Sequence, residues 1–329
     1  MSTNIDRYNR KISYLRVSIT DRCNLRCIYC TPSETFKLLR QFDILSYEEV
    51  IRVIEAAVTF GIKKIRLTGG EPLVRRNVIH LIRAISQRSG VEDFSITTNG
   101  VFLKPLAQAI FKAGVRRINV SLDTLNPLKY VKITRRNCFR KVWEGISLAE
   151  RIGFRPIRLN VVVMRGLNDD EILQFADLSI RKPYQIRFIE YMPLGVDNNW
   201  TPQKYVSSDE IKSRLESMAP LYPVTPEKND GPALRYRFAS AKGEIGLIRP
   251  LSHHFCATCN RLRLTAEGKL RPCLFSDKEV DLKTPLRRGC SQQDLIDLFR
   301  KAIGLKPKKY DLKRFQVQES QLIMRRIGG

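Results

Sequence analysis

Three cysteines within eight residues, Cys23, Cys27 and Cys30, stand at Cys-x3-Cys-x2-Cys spacing straight after an apolar, strand-like run from Ile12 to Ile19. Cysteine thiolate is the usual ligand of an iron–sulfur cluster, so three on one tight loop can hold three irons of a [4Fe–4S] cubane. The local motif offers no fourth cysteine, which leaves one iron open to a substrate or cofactor. Two blander readings compete, a zinc site and a set of small buried hydrophobes. Zinc knuckles favour paired Cys-x2-Cys units with a fourth ligand, and no histidine lies nearby in the sequence, so the spacing favours the cluster.

Cys256, Cys259 and Cys273 form a second triad, Cys-x2-Cys-x13-Cys. The stretch between them, Asn260 to Pro272, reads as a hairpin turning at Ala266-Glu267-Gly268-Lys269, which returns Cys273 to the first pair. One reading is a second cluster with an open iron; the other is a structural zinc with His253 or His254 as fourth ligand. Taken alone, this triad leaves both open. Cys138 and Cys290 stand apart and read as structural, Cys290 with a slight claim as an extra ligand. Grouping six cysteines into two metal-type triads points to metal rather than to disulfides.

The elements that must position these loops alternate strand and helix. Ser46-Tyr47-Glu48-Glu49 is a capping box opening a helix that runs through Phe60 and stops at Gly61. Strands are expected at 63–67, 94–97, 117–121, 157–163 and 186–191, with helices at about 75–87, 104–113 and 141–152 and one capped from Asn168. Six strands separated by helices imply a parallel sheet with right-handed crossovers, the repeat of an eight-unit barrel two units short. The polar stretches follow the strands, among them Thr68-Gly69-Gly70-Glu71, Thr97-Thr98-Asn99-Gly100 and Ser121-Leu122-Asp123, and barrel active sites sit at that strand end. From Pro193 to Pro232 the pattern breaks around one helix capped by Ser207 or Ser208. Two hairpins, 234–238 with 244–248 and 261–264 with 269–272, and a helix over 292–303 complete the chain.

At 43% hydrophobic and 28% charged residues, the 329-residue chain has the composition of a soluble globular protein of one large or two unequal domains. No apolar run approaches a membrane span and the first residues lack a signal-peptide core, so the expected location is the cytoplasm. A net charge of +25 makes nucleic acid the first suspect, yet the basic residues are dispersed, with no long block and no recognised RNA-binding signature. No nucleic-acid partner is expected, and a triphosphate would absorb only a few of those charges.

The first triad, with Tyr29 before its third cysteine, resembles the radical S-adenosylmethionine (SAM) superfamily. That resemblance implies SAM bound through its amino and carboxylate groups to the open iron, with Cys23, Cys27 and Cys30 as ligands. It also settles the fold: an α/β, incomplete (βα)6 TIM-like barrel over 5–225, with a smaller C-terminal α+β region over 226–329 carrying a second cluster. The paired triads, with Leu15-Arg16-Val17-Ser18, the Thr-Gly-Gly-Glu-Pro loop, Arg187-Phe188-Ile189-Glu190-Tyr191-Met192-Pro193 and Gly328-Gly329, resemble the branch that opens molybdenum cofactor biosynthesis.

Membership of that branch would imply a lyase. Its 5′-deoxyadenosyl radical takes hydrogen from C3′ of GTP and yields (8S)-3′,8-cyclo-7,8-dihydroguanosine 5′-triphosphate. Implied SAM contacts are Gly70, Ser121, Met192 and the Tyr29 backbone. Implied GTP contacts are Arg16, Arg66, Thr97, Arg158, Arg261 and Arg263, with guanine on the cluster of Cys256, Cys259 and Cys273. At 158 the family usually carries lysine. In Ile65-Arg66-Leu67 and Ile157-Arg158-Leu159 the alternation sets arginine opposite its apolar neighbours, facing inward to a triphosphate or outward to solvent. The resemblance further implies a homodimer, a flavodoxin- or ferredoxin-type electron donor, and cyclic pyranopterin monophosphate synthase as the next enzyme. Competing classes are a radical SAM enzyme acting on RNA or peptide, a two-cluster electron carrier and a nucleic-acid-binding zinc protein.

Overall fold

Strand β1, Tyr14–Ser18, is buried along its whole length, yet only Leu15 and Val17 join the apolar core while Arg16 and Ser18 face the other way. Strand side chains alternate between faces, so one face packs on helices and the other lines an interior that is polar. The computed structural model describes residues 4–30, 37–194, 200–226, 231–311 and 324–328. The same division recurs in β2 (Lys64–Thr68), β3 (Asp93–Thr98), β4 (Arg117–Ser121), β5 (Ile157–Val163) and β6 (Tyr184–Glu190), all paired in parallel.

Helices α1 (Tyr47–Phe60), α2 (Val78–Ser86), α3 (Leu103–Lys112), α4 (Pro127–Thr134), α5 (Phe139–Ile152) and α6 (Ile172–Arg181) connect or follow these strands. Both halves of the α1 capping box form, Ser46 with Glu49, and Gly61 ends the helix at φ +108°. Helix α2 starts later than the periodicity suggests because Pro72–Val74 forms a separate 3-10 turn. Helix α4 was not expected. Its signal is Asn126, which caps Leu128 and Lys129 through its side chain, followed by Pro127 in the first turn.

After α7 (Ser208–Glu216), capped by Ser207, the chain forms β7 (Leu221–Pro223), β8 (Leu234–Phe238), β9 (Glu244–Ile248), β10 (Arg261–Leu264), β11 (Lys269–Arg271) and β12 (Val280–Asp281), then α8 (Lys283–Arg287) and α9 (Gln292–Gly304). The two hairpins form as read, but they do not build a separate sheet. β9 adds in parallel to β6 and β10 adds in parallel to β1, giving one sheet ordered β12-β11-β10-β1-β2-β3-β4-β5-β6-β9-β8-β7. Each open edge of the six-stranded core thereby gains a hydrogen-bonded neighbour. Phe299 of α9 stacks on Phe60 of α1 at 5.7 Å, fastening the C-terminal region to the barrel wall.

Candidate active site

The first cysteine loop leaves β1 and is held on three sides. Gly70 N donates to Thr20 O at 2.6 Å and Glu71 N to Arg22 O at 2.8 Å. A Cβ on Gly70 would lie 2.4 Å from Arg22 O, so the backbone crossing here admits only glycine. On the second side the last turn of α4 receives Arg26 N on Thr134 O and Ile28 N on Ile133 O, both at 3.0 Å. On the third, buried Arg325 of the short helix Met324–Ile327 donates to Cys23 O and Leu25 O, each at 3.1 Å. Tyr29 OH donates to Asp123 Oδ2 at 2.6 Å, and Asn99 Nδ2 reaches Asn24 Oδ1 at 2.8 Å.

The second triad is built on the β10–β11 hairpin. Cys259 N donates to Cys256 O at 3.3 Å, and the hairpin returns Cys273 to the pair. Burial, with the neighbouring Cys273 and Cys259 charges, pushes the Cys256 thiol up. Burial acts in the same sense on Cys259, but Arg261 and Lys306 outweigh it and bring that thiol down to about 6, a thiolate at neutral pH. Lys306 is 2% exposed and ties the hairpin together, donating to Arg261 O at 2.8 Å and Pro272 O at 2.7 Å. From the other end of the chain, Arg10 donates to Cys256 O at 2.8 Å and is clamped by buried Asp6 at 2.6 Å. The histidines turn elsewhere: His253 Nε2 pairs with Asp209 Oδ2 at 2.8 Å and His254 Nδ1 with Pro250 O at 2.9 Å.

Both triads open on one cavity of about 2070 Å³, its mouth included. Tyr29, Gly70, Ser121 and Met192 all line it, and so do Arg16, Arg66, Thr97, Arg261 and Arg263. Arg158 does not reach the wall. Its Nε donates to Gln185 Oε1 at 2.7 Å, the same oxygen that accepts from Arg187 Nε at 2.8 Å, and Arg187 is the one that faces the cavity. All eight cysteines are free thiols, and Cys138 and Cys290 pack against the main core away from the cavity.

The arginines crowd one another. Register places Arg16 beside Arg66 on one side and Arg263 on the other. Burial, then repulsion from Arg16 and Arg261, holds Arg263 well below the usual guanidinium range; burial with Arg158, Arg66 and Arg117 does the same to Arg187. Burial opposes ionisation of Tyr14, yet Arg66, Arg16, Lys64 and Arg261 together lower it to about 8. Arg66 Nε donates to Ser95 Oγ at 3.3 Å and Arg263 Nη1 to Gly328 O at 2.9 Å, both neutral acceptors. Such a group of buried cations is costly until an anion joins it. Gly328 is the last described residue, with Ile327 buried against Leu194, Met192 and Phe275; Gly329 lies outside the described residues.

Family models match nearly the whole chain, the Radical SAM superfamily over residues 17–179 and Molybdenum Cofactor Synthesis C over residues 184–312. A protein named GTP 3′,8-cyclase from Thermodesulfovibrio yellowstonii is 51% identical over 304 residues, 92% of this chain and 94% of that one. Another of the same name, from Moorella thermoacetica, is 47% identical over 324 residues, 98% of this chain and 99% of that one. The chain belongs to the GTP 3′,8-cyclase family. Among solved structures, Streptococcus suis SuiB bound to S-adenosylmethionine resembles it with a TM-score of 0.60 over 92% of this chain and 77% of that one, a likeness of fold alone at 12% identity. Membership in the radical SAM superfamily brings SAM and an iron–sulfur cluster as cofactors, and three free thiols on a cavity-facing loop suit such a cluster. No helix among the described residues is long and apolar enough to cross a membrane.

Several of these parts escape a reading of the sequence. Arg187 had a signal, since Ile186-Arg187-Phe188 alternates as Ile65-Arg66-Leu67 does. Lys306 and the Asp6–Arg10 pair had none, because their role arises from contacts across the whole length of the chain.

Proposed function

We propose that this chain is a radical SAM lyase converting GTP to (8S)-3′,8-cyclo-7,8-dihydroguanosine 5′-triphosphate, the first step of molybdenum cofactor biosynthesis. The observation that carries it is the meeting of two free-thiol triads and a crowd of buried arginines on one cavity. Cys23, Cys27 and Cys30 would hold one [4Fe–4S] cluster and Cys256, Cys259 and Cys273 a second. Zinc on the second triad loses support because neither His253 nor His254 lines the cavity on which the three thiols open, and His253 is paired with Asp209. When bound, the first cluster and SAM supply the 5′-deoxyadenosyl radical that takes hydrogen from C3′ of GTP, and the second cluster a site for guanine.

The protein's own residues bind and orient. Gly70, Ser121, Met192 and the Tyr29 backbone hold SAM, with Asp123 fixing the Tyr29 ring. Arg16, Arg66, Thr97, Arg261 and Arg263 hold GTP, whose phosphates relieve the repulsion among these guanidiniums. Arg187 joins them directly and Arg158 acts through Gln185. Fixing C8 beside C3′ is how such a site accelerates ring closure. The division at 225/226 belongs to this proposal as one of roles, not of separate folding units, because β7 and β8 pair across it within one sheet. A homodimer, cytoplasmic location, a flavodoxin- or ferredoxin-type donor and cyclic pyranopterin monophosphate synthase as product acceptor belong to the same proposal.

The test is an anaerobic assay of the iron-loaded protein with SAM, dithionite and GTP, following 5′-deoxyadenosine and cyclised nucleotide. Both should form together. Formation of 5′-deoxyadenosine with no GTP-derived product would sink the substrate assignment.

A further inference from the structure

Cations that do not line the cavity, Arg26, Lys132 and Arg136, stand by the first cysteine loop and the end of α4 that packs on it. Arg26 donates to Cys23 O at 2.7 Å and Leu25 O at 2.9 Å, and buried Arg325 and exposed Arg136 are near enough to repel it. A separate surface pocket has Ile28 and Tyr191 in its wall together with Lys132, Arg165 and Lys204. Ile28 and Tyr191 pack with Tyr29, so this pocket backs directly onto the loop. Lys132, Arg135 and Arg136 are exposed, and among the described residues no carboxylate pairs with them; the acids Asp170 and Glu171 are taken up by Lys129, and Glu210 by Arg165 and Arg214. An apolar floor with a charged rim is the make-up of a protein interface rather than of a small-molecule site.

We propose that this face, centred on Ile28, Lys132, Arg136 and Lys204, is where a small acidic one-electron carrier protein docks to reduce the cluster of Cys23, Cys27 and Cys30. The inference rests on the radical SAM reading above. One electron leaves the donor's reduced centre, which is oxidised by one, and enters the cluster, which is reduced by one; no bond forms or breaks. The cavity side of the loop is kept for SAM and GTP, so this face is the direct approach for a protein. Its excess of positive charge fits an acidic partner and speeds the encounter. This accounts for part of the +25 net charge that a nucleotide substrate leaves over.

The test compares the iron-loaded wild type with the double variant Lys132→Glu/Arg136→Glu. The control is Lys112→Glu/Lys141→Glu, exposed residues of α3 and α5 that bring the same change of charge. A reduced [4Fe–4S] ferredoxin serves as donor, with dithionite as a small reductant that needs no docking. Cluster reduction is followed optically, and binding of fluorescently labelled ferredoxin by anisotropy. The first variant should lose roughly tenfold or more in the rate of reduction by ferredoxin and in its binding at low salt, a loss that shrinks at high salt. Its dithionite-driven SAM cleavage and the control variant should match wild type. Equal losses in both variants, or unchanged binding in the first, would overturn the proposal. So would an RNA oligonucleotide binding this face in the donor's place. Failure of the wild type to cleave SAM with dithionite would instead strike the function on which the proposal rests, and the binding measurement would still decide the face.

Discussion

Replacing Gly328 by alanine tests how the C-terminal tail serves the cavity. An added Cβ would stand 1.7 Å from Thr68 Oγ1 and 2.8 Å from Thr68 Cβ, and the residue sits at φ +72°, where side chains are disfavoured. Forcing a non-glycine residue into that conformation costs about 1–3 kcal/mol, and overpacking a methyl into a filled site costs about another 1–3 kcal/mol. The lower sum, about 2 kcal/mol, already shifts a docked-to-free ratio by roughly thirtyfold. The rest of the short helix is held independently, by burial of Ile327, about 1.5–3 kcal/mol, by the bonds of Arg325 to Cys23 O and Leu25 O and by Ala266 N on Arg326 O. Gly328 should therefore swing off Thr68 and give up the bond from Arg263 to its carbonyl, while the helix Met324–Ile327, with Arg325 on Cys23 O and Leu25 O, stays seated and the barrel stays folded. We expect Gly328→Ala to keep its iron and cleave SAM with dithionite, yet to lose most GTP cyclisation. Adding Thr68→Ala removes the closest contact and should restore part of it. SAM cleavage is read as 5′-deoxyadenosine and cyclisation by chromatography of the nucleotide product. Wild-type cyclisation by Gly328→Ala, or loss of SAM cleavage in step with it, would refute the reasoning. Deleting Gly328 and Gly329 should give the same separation.

Three further outcomes follow from the same geometry. Cys27→Ser should abolish SAM cleavage, whereas Cys259→Ser should spare some uncoupled cleavage while removing cyclisation; equal loss of both activities in both folded variants contradicts the division of roles. Arg187→Ala should weaken GTP binding by about 1.5–3 kcal/mol, the range for charge-assisted hydrogen bonds, and Arg158→Ala by less, because Arg158 reaches the cavity only through Gln185. Titration with GTP and with guanosine checks this, since guanosine should be indifferent to both. Asp6→Asn leaves buried Arg10 without its carboxylate and should cost about 3–5 kcal/mol; a melting curve reads the loss, and iron retention on the second triad should fall with it.

Chemistry was the part most legible in the sequence. Thiolates at Cys-x3-Cys-x2-Cys spacing mean much the same wherever they sit, because the chain between them is too short to separate them. The capping box at Ser46 and the alternation that sets Arg66 opposite Ile65 and Leu67 are likewise local, set by bonds and faces within a few residues, whereas the turn of Arg66 to the cavity is known only from the fold. Helix α4 lies at the limit: Asn126-Pro127 announces its start, but Leu128 and Val131 are exposed and blur the periodicity.

Tertiary structure decided what depends on distant partners. Whether an inward arginine meets the cavity or stands behind another is settled by which residue of the next strand lies across from it, and Gln185 opposite Arg158 is a matter of register. No local pattern says that β9 and β10 will seat themselves on the two edges of the barrel rather than on each other. That choice follows from edge hydrogen bonds that exist only once the six-stranded core has formed. The second triad needs Asp6, Arg10 and Lys306 for the same reason, since a buried charge is tolerated only where the folded chain delivers its partners.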